Sequence, residues 1–420
     1  MAYFDCDLNL SWEDIALRDA AHKFAAEVMR PVGRELDRLS PEQAAGPKSP
    51  IWEFLRKGYE LNYHKVLIPP PFGGLGLSSR QVHLVEEELG WGSFGLSALL
   101  ASAGFAFTFA AMTGDEELIR TFSEPYAACT DASMIGCWAV TEPDHGSDLV
   151  SYAEEFFRSP KLRADARATL DGDEWVVSGQ KSAWISGAPI ATHALVHLQV
   201  EPSRGLAGFG MCIIPLAYPG VSRGKPLRKI GQRDLCQGEI FFDDVRIPRK
   251  WMLIGPDAYV PTLQTILAHA NAMMATWATG LARAAFEEAF AYARERVQGT
   301  RPIVEHYSVR QRLFQLFARV ETCRATSRAV VDLNLNVSPP LVEYSVAAKT
   351  TCTQLCFENA HEALQLLGGN GLTQEYAIEK LFRDARATLI MDGNNEVLAA
   401  SAGAVLAESY PRSQLLGVSC

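Results

Sequence analysis

The sequence predicts an α+β protein of more than one domain: a helical N-terminal domain, a middle β domain and a C-terminal four-helix bundle. Three observations predict it. Apolar residues recur at helical spacing through the first third. From about Met134 to residue 250, short runs rich in strand formers alternate with Gly, Pro and Asp turns. Beyond Tyr259, long apolar-faced segments with short connections return. The changes of pattern divide the chain into 1–133, 134–250 and 251–420. At 420 residues it is long enough for two or three domains and a large core.

The first helix spans 9–40. Ser11 is placed as its N-cap with Asp14 three residues on, and Leu17, Ala21, Phe24, Ala25 and Val28 form its apolar face. Pro31 and the Pro/Gly-rich segment 41–50 are expected to break it. Helices follow over Trp52 to Tyr59, Gln81 to Leu89, Ala98 to Met112 and Glu116 to Phe122, with Pro69 to Gly76 as a loop. The strand-forming runs are Trp175 to Val177, Ala194 to Leu198, Gly208 to Ile214 and Glu239 to Phe242, and Pro248 with Gly255-Pro256 closes the β region. Four bundle helices are expected over Leu263 to Val297, Ser308 to Leu335, Leu341 to Leu367 and Glu375 to Leu406. Gly280 in the first marks a place where a neighbour approaches closely.

The chain is 48% hydrophobic and 21% charged, ordinary for a soluble globular protein, and its net charge of −10 argues against nucleic acid or an anionic membrane as main partner. Met1 to Asp7 has neither the basic nor the apolar region of a signal peptide. Apolar stretches such as Ala98 to Ala111 contain Ser, Gly and Thr and read as core helix rather than membrane span. A cytoplasmic location is expected. The nine cysteines are scattered. Cys352 and Cys356 share a helix face as core thiols, and with no CxxC or HExxH spacing no metal is expected.

Two stretches carry the chemistry. Cys137-Trp138-Ala139-Val140-Thr141-Glu142-Pro143-Asp144-His145-Gly146-Ser147-Asp148 runs from strand formers into a turn. Gly179-Gln180-Lys181-Ser182-Ala183-Trp184-Ile185-Ser186-Gly187 again sets an aromatic beside hydroxyls. Either alone is compatible with a strand entering a turn. Together they suggest platforms for one planar cofactor. The pair resembles the two flavin-contacting motifs of the acyl-CoA dehydrogenase family. Further matches fall in family order over nearly the whole chain: Pro70 to Gly76 with Glu86 to Leu89, Lys229 to Arg233 with Phe241 to Pro248, Gln365 to Gly371, and Arg383 to Arg386. The resemblance implies two helical domains flanking a middle β-barrel-like domain, a bound FAD and a homo-oligomer, dimer or tetramer. It also implies an acyl thioester as substrate, on CoA or a carrier protein, and electron-transferring flavoprotein or another acceptor.

By resemblance, Trp138, Val140 and Thr141 lie beside the isoalloxazine from the first motif, and Trp184 and Ser186 from the second. Gly368, Gly369 and Gly371 form the turn at the FAD diphosphate, usually from the neighbouring subunit, where a Cβ would block the backbone. Arg296 matches the arginine at the diphosphate, although Gly299-Thr300 stand where Phe-Gly is usual. Asn394 is placed with the cofactor contacts, and Ser147, His145 and Gly393 with the substrate. Arg383, Asp384 and Arg386 brace the loop that carries the base.

Asp392 stands at the position where the family commonly carries its catalytic glutamate, one methylene shorter. The helix positions where some relatives place that glutamate and an arginine are Ala270 and Asn271. Two readings stay open. In one, Asp392 removes the α-proton of a bulkier, branched or ring-shaped thioester. In the other, the site is a flavin oxidase or monooxygenase-type relative acting on a carbon acid such as a nitroalkane. The related nitroalkane oxidase also uses Asp, but keeps an arginine a few residues later, where this chain has Val397-Leu398-Ala399-Ala400. A degenerate, non-enzymatic scaffold is a third reading, opposed by retention of both platforms. Residues 151–168 look longer than the usual link and read either as an excursion near the mouth of the site or as a plain solvated helix.

Overall fold

The structure is a computed structural model and describes residues 9–409; the expectation drawn from Met1 to Asp7 lies outside them. Helix α1 (Trp12–Phe24) begins as its sequence dictates. Ser11 Oγ accepts the Asp14 N–H at 3.1 Å and the Asp14 carboxylate accepts the Ser11 N–H at 3.0 Å, a reciprocal cap. Pro31 does not break the helix. Residues Ala25–Met29 widen into a π turn, and α2 (Arg30–Arg38) starts with Pro31 in its first turn, so the missing N–H is owed to no ladder bond. A short α3 (Pro41–Ala44) occupies part of the Pro/Gly-rich segment. Next come α4 (Ile51–Glu60), α5 (Ser79–Gly92), α6 (Phe94–Ala103), α7 (Phe105–Met112), α8 (Glu116–Leu118) and α9 (Glu124–Ala128). The single helix expected over 98–112 is thus two. The stretch Phe94–Met112 is long and apolar enough to cross a membrane by composition, but most of it is buried inside the protein.

The middle domain is one mixed sheet. Its strands are β1 (Gly136–Ala139), β2 (Arg167–Asp171), β3 (Glu174–Ser186), β4 (His193–Gln199), β5 (Phe209–Pro215), β6 (Val221–Arg223), β7 (Gln237–Pro248) and β8 (Met252–Ile254). The order is β6-β7-β3-β2-β4-β5-β8, with β1 parallel to β4. The sheet continues past residue 250 to Ile254. The β3–β7 register shifts between Lys181 and Ile185. Such an irregularity re-aims side chains, and Trp184 within it is 58% exposed.

The C-terminal domain holds α10 (Pro256–Glu295), α11 (Tyr307–Asn336), α12 (Val342–Leu367), α13 (Ile378–Thr388) and α14 (Asn395–Ser409). The helix expected over 375–406 is therefore divided. Asp392 (φ +54°) and Gly393 (φ +98°) adopt left-handed backbone, which ends a right-handed helix. A Cβ on Gly280 would collide with the Glu87 carbonyl and the Gly90-Trp91 backbone of α5. A Cβ on Gly90 would lie 2.6 Å from Trp277 Cα. Paired glycines thus let α5 and α10 cross at close range. Helices α10 and α12 run side by side in the same direction, with Asn359 Nδ2 donating to the Ala282 carbonyl at 3.2 Å. The seven cysteines among the described residues are free and buried, Cys352 and Cys356 among them.

Candidate active site

Strand β1 lies against β4 with Trp138 opposite Leu195. The half-buried Trp138 ring is pinned from two sides. Its Nε1–H donates to His197 Nε2 at 2.7 Å, and Phe105 stacks on it with centroids 5.3 Å apart. Burial, with the Lys181 charge, pushes His197 well below its usual range, so it stays neutral. The Nε2 that accepts from Trp138 is then unprotonated, which leaves Nδ1–H for Tyr259 Oη at 3.0 Å.

Beyond β1, the two platforms are joined by a buried ion pair. Lys181 Nζ donates to the Val140 carbonyl at 2.9 Å and to Glu142 Oε1 at 2.7 Å. Both side chains are essentially inaccessible. The second Glu142 oxygen accepts the Asp165 N–H at 2.8 Å, so the carboxylate is satisfied on both sides, as a buried charge must be. Thr141 Oγ1 and Ser182 Oγ lie 2.6 Å apart, and the Ser182 N–H donates to the Thr141 carbonyl at 2.8 Å. Ser186 Oγ accepts from Gln237 Nε2 at 3.2 Å, and the same Nε2 donates to the Trp184 carbonyl at 2.9 Å. The structure thus joins the first motif (Trp138, Val140, Thr141) to the strand that carries Trp184 and Ser186. An exposed indole flanked by hydroxyls on a rigid strand fits a planar, polar-edged cofactor.

Asp392 is presented on the 389–394 turn, and the turn is tied to the first motif. The Asn394 N–H donates to Ser147 Oγ at 3.1 Å. Asn394 Oδ1 accepts the Glu396 N–H at 2.8 Å and so caps α14. Its side-chain oxygen and backbone N–H are therefore committed within the chain. From α12, Lys349 Nζ donates to the Gly393 carbonyl and to Asn395 Oδ1, each at 2.7 Å. Asn395 Nδ2 donates to Thr353 Oγ1 at 3.1 Å. Burial raises Asp392 to about 6, with the Lys349 charge pulling the other way. Lys349 falls to about 8 through burial, opposed by Asp392 and Glu396.

Two predicted groups lie elsewhere in the chain. From Lys349 to Leu367, α12 runs eighteen residues, or about 27 Å, so the Gly368–Leu372 turn sits at the far end of the bundle from Asp392. Arg296, exposed just beyond α10, is at that same far end, because Asn370 Nδ2 donates to Tyr292 Oη at 3.1 Å. A Cβ on Gly368 or Gly369 would meet nothing within 4 Å, whereas one on Gly371 would lie 2.6 Å from the Leu364 carbonyl. Packing explains Gly371 and leaves Gly369 as an open cradle. These residues therefore lie away from the turn that carries Asp392.

His145 is occupied. Its Nδ1 lies 2.6 Å from Asp148 Oδ2 and its Nε2 3.0 Å from the Arg163 carbonyl. Burial alone would lower its pKa, but Asp148 and the carbonyl raise it overall. Both ring nitrogens are thus taken up within the chain, and the ring fastens the 151–168 segment to the first motif. Within that segment Phe157 is fully buried and Phe156 is exposed. Arg383 pairs with Asp37 at 2.6 Å and Glu379 at 2.7 Å, and Lys380 bridges Asp384 at 2.5 Å and Asp234 at 2.8 Å. These pairs clamp α13, which leads to the Asp392 turn, onto α2 and the 230–234 loop; Arg386 is exposed.

Sequence reasoning missed Lys349, Asn395 and His197. One signal was present for Lys349. It falls on the buried stripe of α12 with Val346, Cys352, Thr353 and Cys356, where a lysine needs a partner. Among the described residues, no group of three or more His, Cys, Asp or Glu is arranged to hold a metal ion.

Comparison with known proteins agrees with this geometry. The acyl-CoA dehydrogenase N-terminal, middle and C-terminal domain models match residues 11–129, 137–245 and 260–407. The bovine (Bos taurus) mitochondrial short-chain specific acyl-CoA dehydrogenase is 27% identical over 94% of this chain and 90% of its own. The cyclohex-1-ene-1-carbonyl-CoA dehydrogenase of Geobacter metallireducens is 26% identical over 95% of this chain and 99% of its own. A nitroalkane oxidase active-site mutant crystallised with 1-nitrooctane shares the fold, with TM-score 0.84 at 20% identity over 98% of this chain and 100% of that one.

Proposed function

The chain belongs to the family of FAD-dependent acyl-CoA dehydrogenases, and from that premise we propose that Asp392 is the base that removes the α-proton of a branched or ring-shaped acyl thioester. The observation that carries this is the turn itself. A carboxyl in left-handed backbone is bonded, through Asn394, to Ser147 of the first platform motif. Its raised pKa supports the role. A carboxylate near 6 is ionised at neutral pH yet more basic than a solvated one.

Trp138, Val140, Thr141, Trp184 and Ser186 would hold the flavin ring, and Gly368, Gly369 and Arg296 of a second copy would hold its diphosphate. The flavin supplies the acceptor for the β-hydride. Asp392 receives the α-proton on a carboxylate oxygen. The Asp392 N–H is assigned to the thioester oxygen as enolate charge develops. The buried Glu142–Lys181 pair keeps the two platform strands in fixed relation, and the Ser147–Asn394 bond sets the base against them. A ring-shaped substrate is favoured because the arm is one methylene shorter than glutamate and because a relative over nearly its whole length is named for a cyclic acyl-CoA.

The test is anaerobic bleaching of the flavin against straight, branched and cyclic acyl-CoAs, an acyl-carrier-protein thioester and a nitroalkane. One thioester class is expected to bleach it. Asp392→Asn should retain flavin and reduce it roughly 10²- to 10⁴-fold more slowly; reduction at the wild-type rate would remove Asp392 from the role. Asp at the base position also favours, in second place, a non-thioester carbon acid. Bleaching by the nitroalkane alone, with rapid return of colour in air, would establish that reading. Slow return is expected instead, with electrons passing to electron-transferring flavoprotein or a similar acceptor.

A further inference from the structure

We propose that Lys349 is the positioning residue of this site: it holds the turn that presents Asp392 and places a positive charge behind the carboxyl. The inference rests on the reading of Asp392 as base and deepens it.

The geometry comes first. Lys349 is fully buried on α12. It spends two hydrogen bonds on the residues flanking Asn394: the Gly393 carbonyl and Asn395 Oδ1, each at 2.7 Å. Asn395 is itself held by Thr353 one turn further along the helix. The backbone at Asp392 and Gly393 is left-handed, a conformation that costs free energy for a side-chain-bearing residue and persists only where surroundings impose it. Lys349 supplies that imposition on the carbonyl side, and Ser147 does so on the amide side. An ammonium buried to satisfy one carbonyl and one amide oxygen is an expensive way to fix a loop, since a neutral donor would serve. Its charge has a use if it acts on the carboxyl one residue away.

The surrounding charges are few in kind. Asp392 feels Lys349, and Lys349 feels Asp392 and Glu396. The middle domain presents the His145–Asp148 pair beside Ser147. Desolvation of a carboxyl favours a proton on it, and a nearby cation opposes that. Lys349 thus keeps the base ionised at neutral pH while the site stays dry enough for it to be strong.

The experiment titrates the Asp392 carboxyl in the flavin-loaded protein by difference infrared spectroscopy with isotope-labelled aspartate. The band lost in Asp392→Asn identifies it. Lys349→Gln keeps a donor and removes the charge; its midpoint should move up by about one pH unit. Lys349→Arg keeps the charge and should stay within a few tenths of wild type. The acid limb of kcat/KM for flavin reduction should move with the midpoint, a change that a purely structural role would not produce. An unmoved midpoint in Lys349→Gln overturns the proposal. If that variant does not fold, a rise of a full unit in Lys349→Arg overturns it instead. The titration needs no substrate. A shifted midpoint in a protein that no thioester bleaches would sink the proposed substrate class and leave standing the action of Lys349 on the Asp392 carboxyl.

Discussion

Asp392 can act as the proposed base only while it is ionised, so on that proposal its titration should appear directly in the rate. Burial raises it from the ordinary aspartate range to about 6. The sign follows: below that pH the carboxyl is protonated and cannot accept the α-proton, above it the rate should level. The expected outcome is an acid limb in kcat/KM for flavin reduction near pH 6, and a limb near 4 would mean the carboxyl is solvated in the working enzyme. The sequence singles this residue out because Ile390 to Glu396 resembles a family run. Its neighbours were legible only in part. Lys349 stands some forty positions earlier and reaches the turn only because α12 packs beneath it. No local pattern encodes that meeting. Asn394 has a second task that its place in the motif did not suggest: its side-chain oxygen caps α14.

At the scale of elements, α5 shows how buried charge is managed. Three consecutive glutamates, Glu86, Glu87 and Glu88, are all buried. Glu87 accepts from Arg283 at 2.8 Å and from Arg324 at 2.9 Å, and Glu88 accepts from Arg283 at 2.8 Å while His22 Nδ1 lies 2.8 Å away. Glu86 has a neutral partner, the Trp277 Nε1–H at 2.6 Å. Burial raises it to about 7, the indole bond opposing. A carboxyl whose folded pKa is raised contributes fully below its unfolded value near 4.5, and that contribution is lost as pH rises through 7. Glu86→Gln keeps an acceptor for Trp277 and cannot ionise. It should therefore match wild-type stability at pH 4.5 and exceed it by on the order of 3 kcal/mol at pH 8. Thermal or urea unfolding at the two pH values checks this; equal stability at both would mean Glu86 stays solvated. The element pattern was readable where period and cap agree, as at Ser11 and along α10 to α12. It failed at Pro31, where a π turn absorbs the proline, and at Asp392-Gly393, where left-handed backbone divides an unbroken apolar period.

The whole molecule is held by ion pairs at the domain junctions: Arg383 to Asp37, and Lys380 to both Asp234 and Asp384. These fix the platform strands against the turn that carries Asp392. They do nothing for the Gly368–Leu372 turn and Arg296, which lie at the opposite end of the bundle, about 27 Å along α12. If these residues do hold the cofactor diphosphate, each complete site needs two copies of the chain, and the mutants can be made to show it. Gly369→Val should fold, because a side chain there meets open space within the chain, and yet lose flavin. Asp392→Asn should keep flavin and lose turnover. In a mixed dimer of the two, one site pairs the damaged base with the blocked cradle and is dead. The other pairs the intact Asp392 of the Gly369→Val chain with the open cradle of the Asp392→Asn chain. Co-expression of two inactive variants should therefore restore flavin and turnover at that second site. If the mixture stays inactive while mixed oligomers are shown to form, the cradle does not serve the neighbour's site, and Gly369 and Arg296 lose their role in holding the diphosphate.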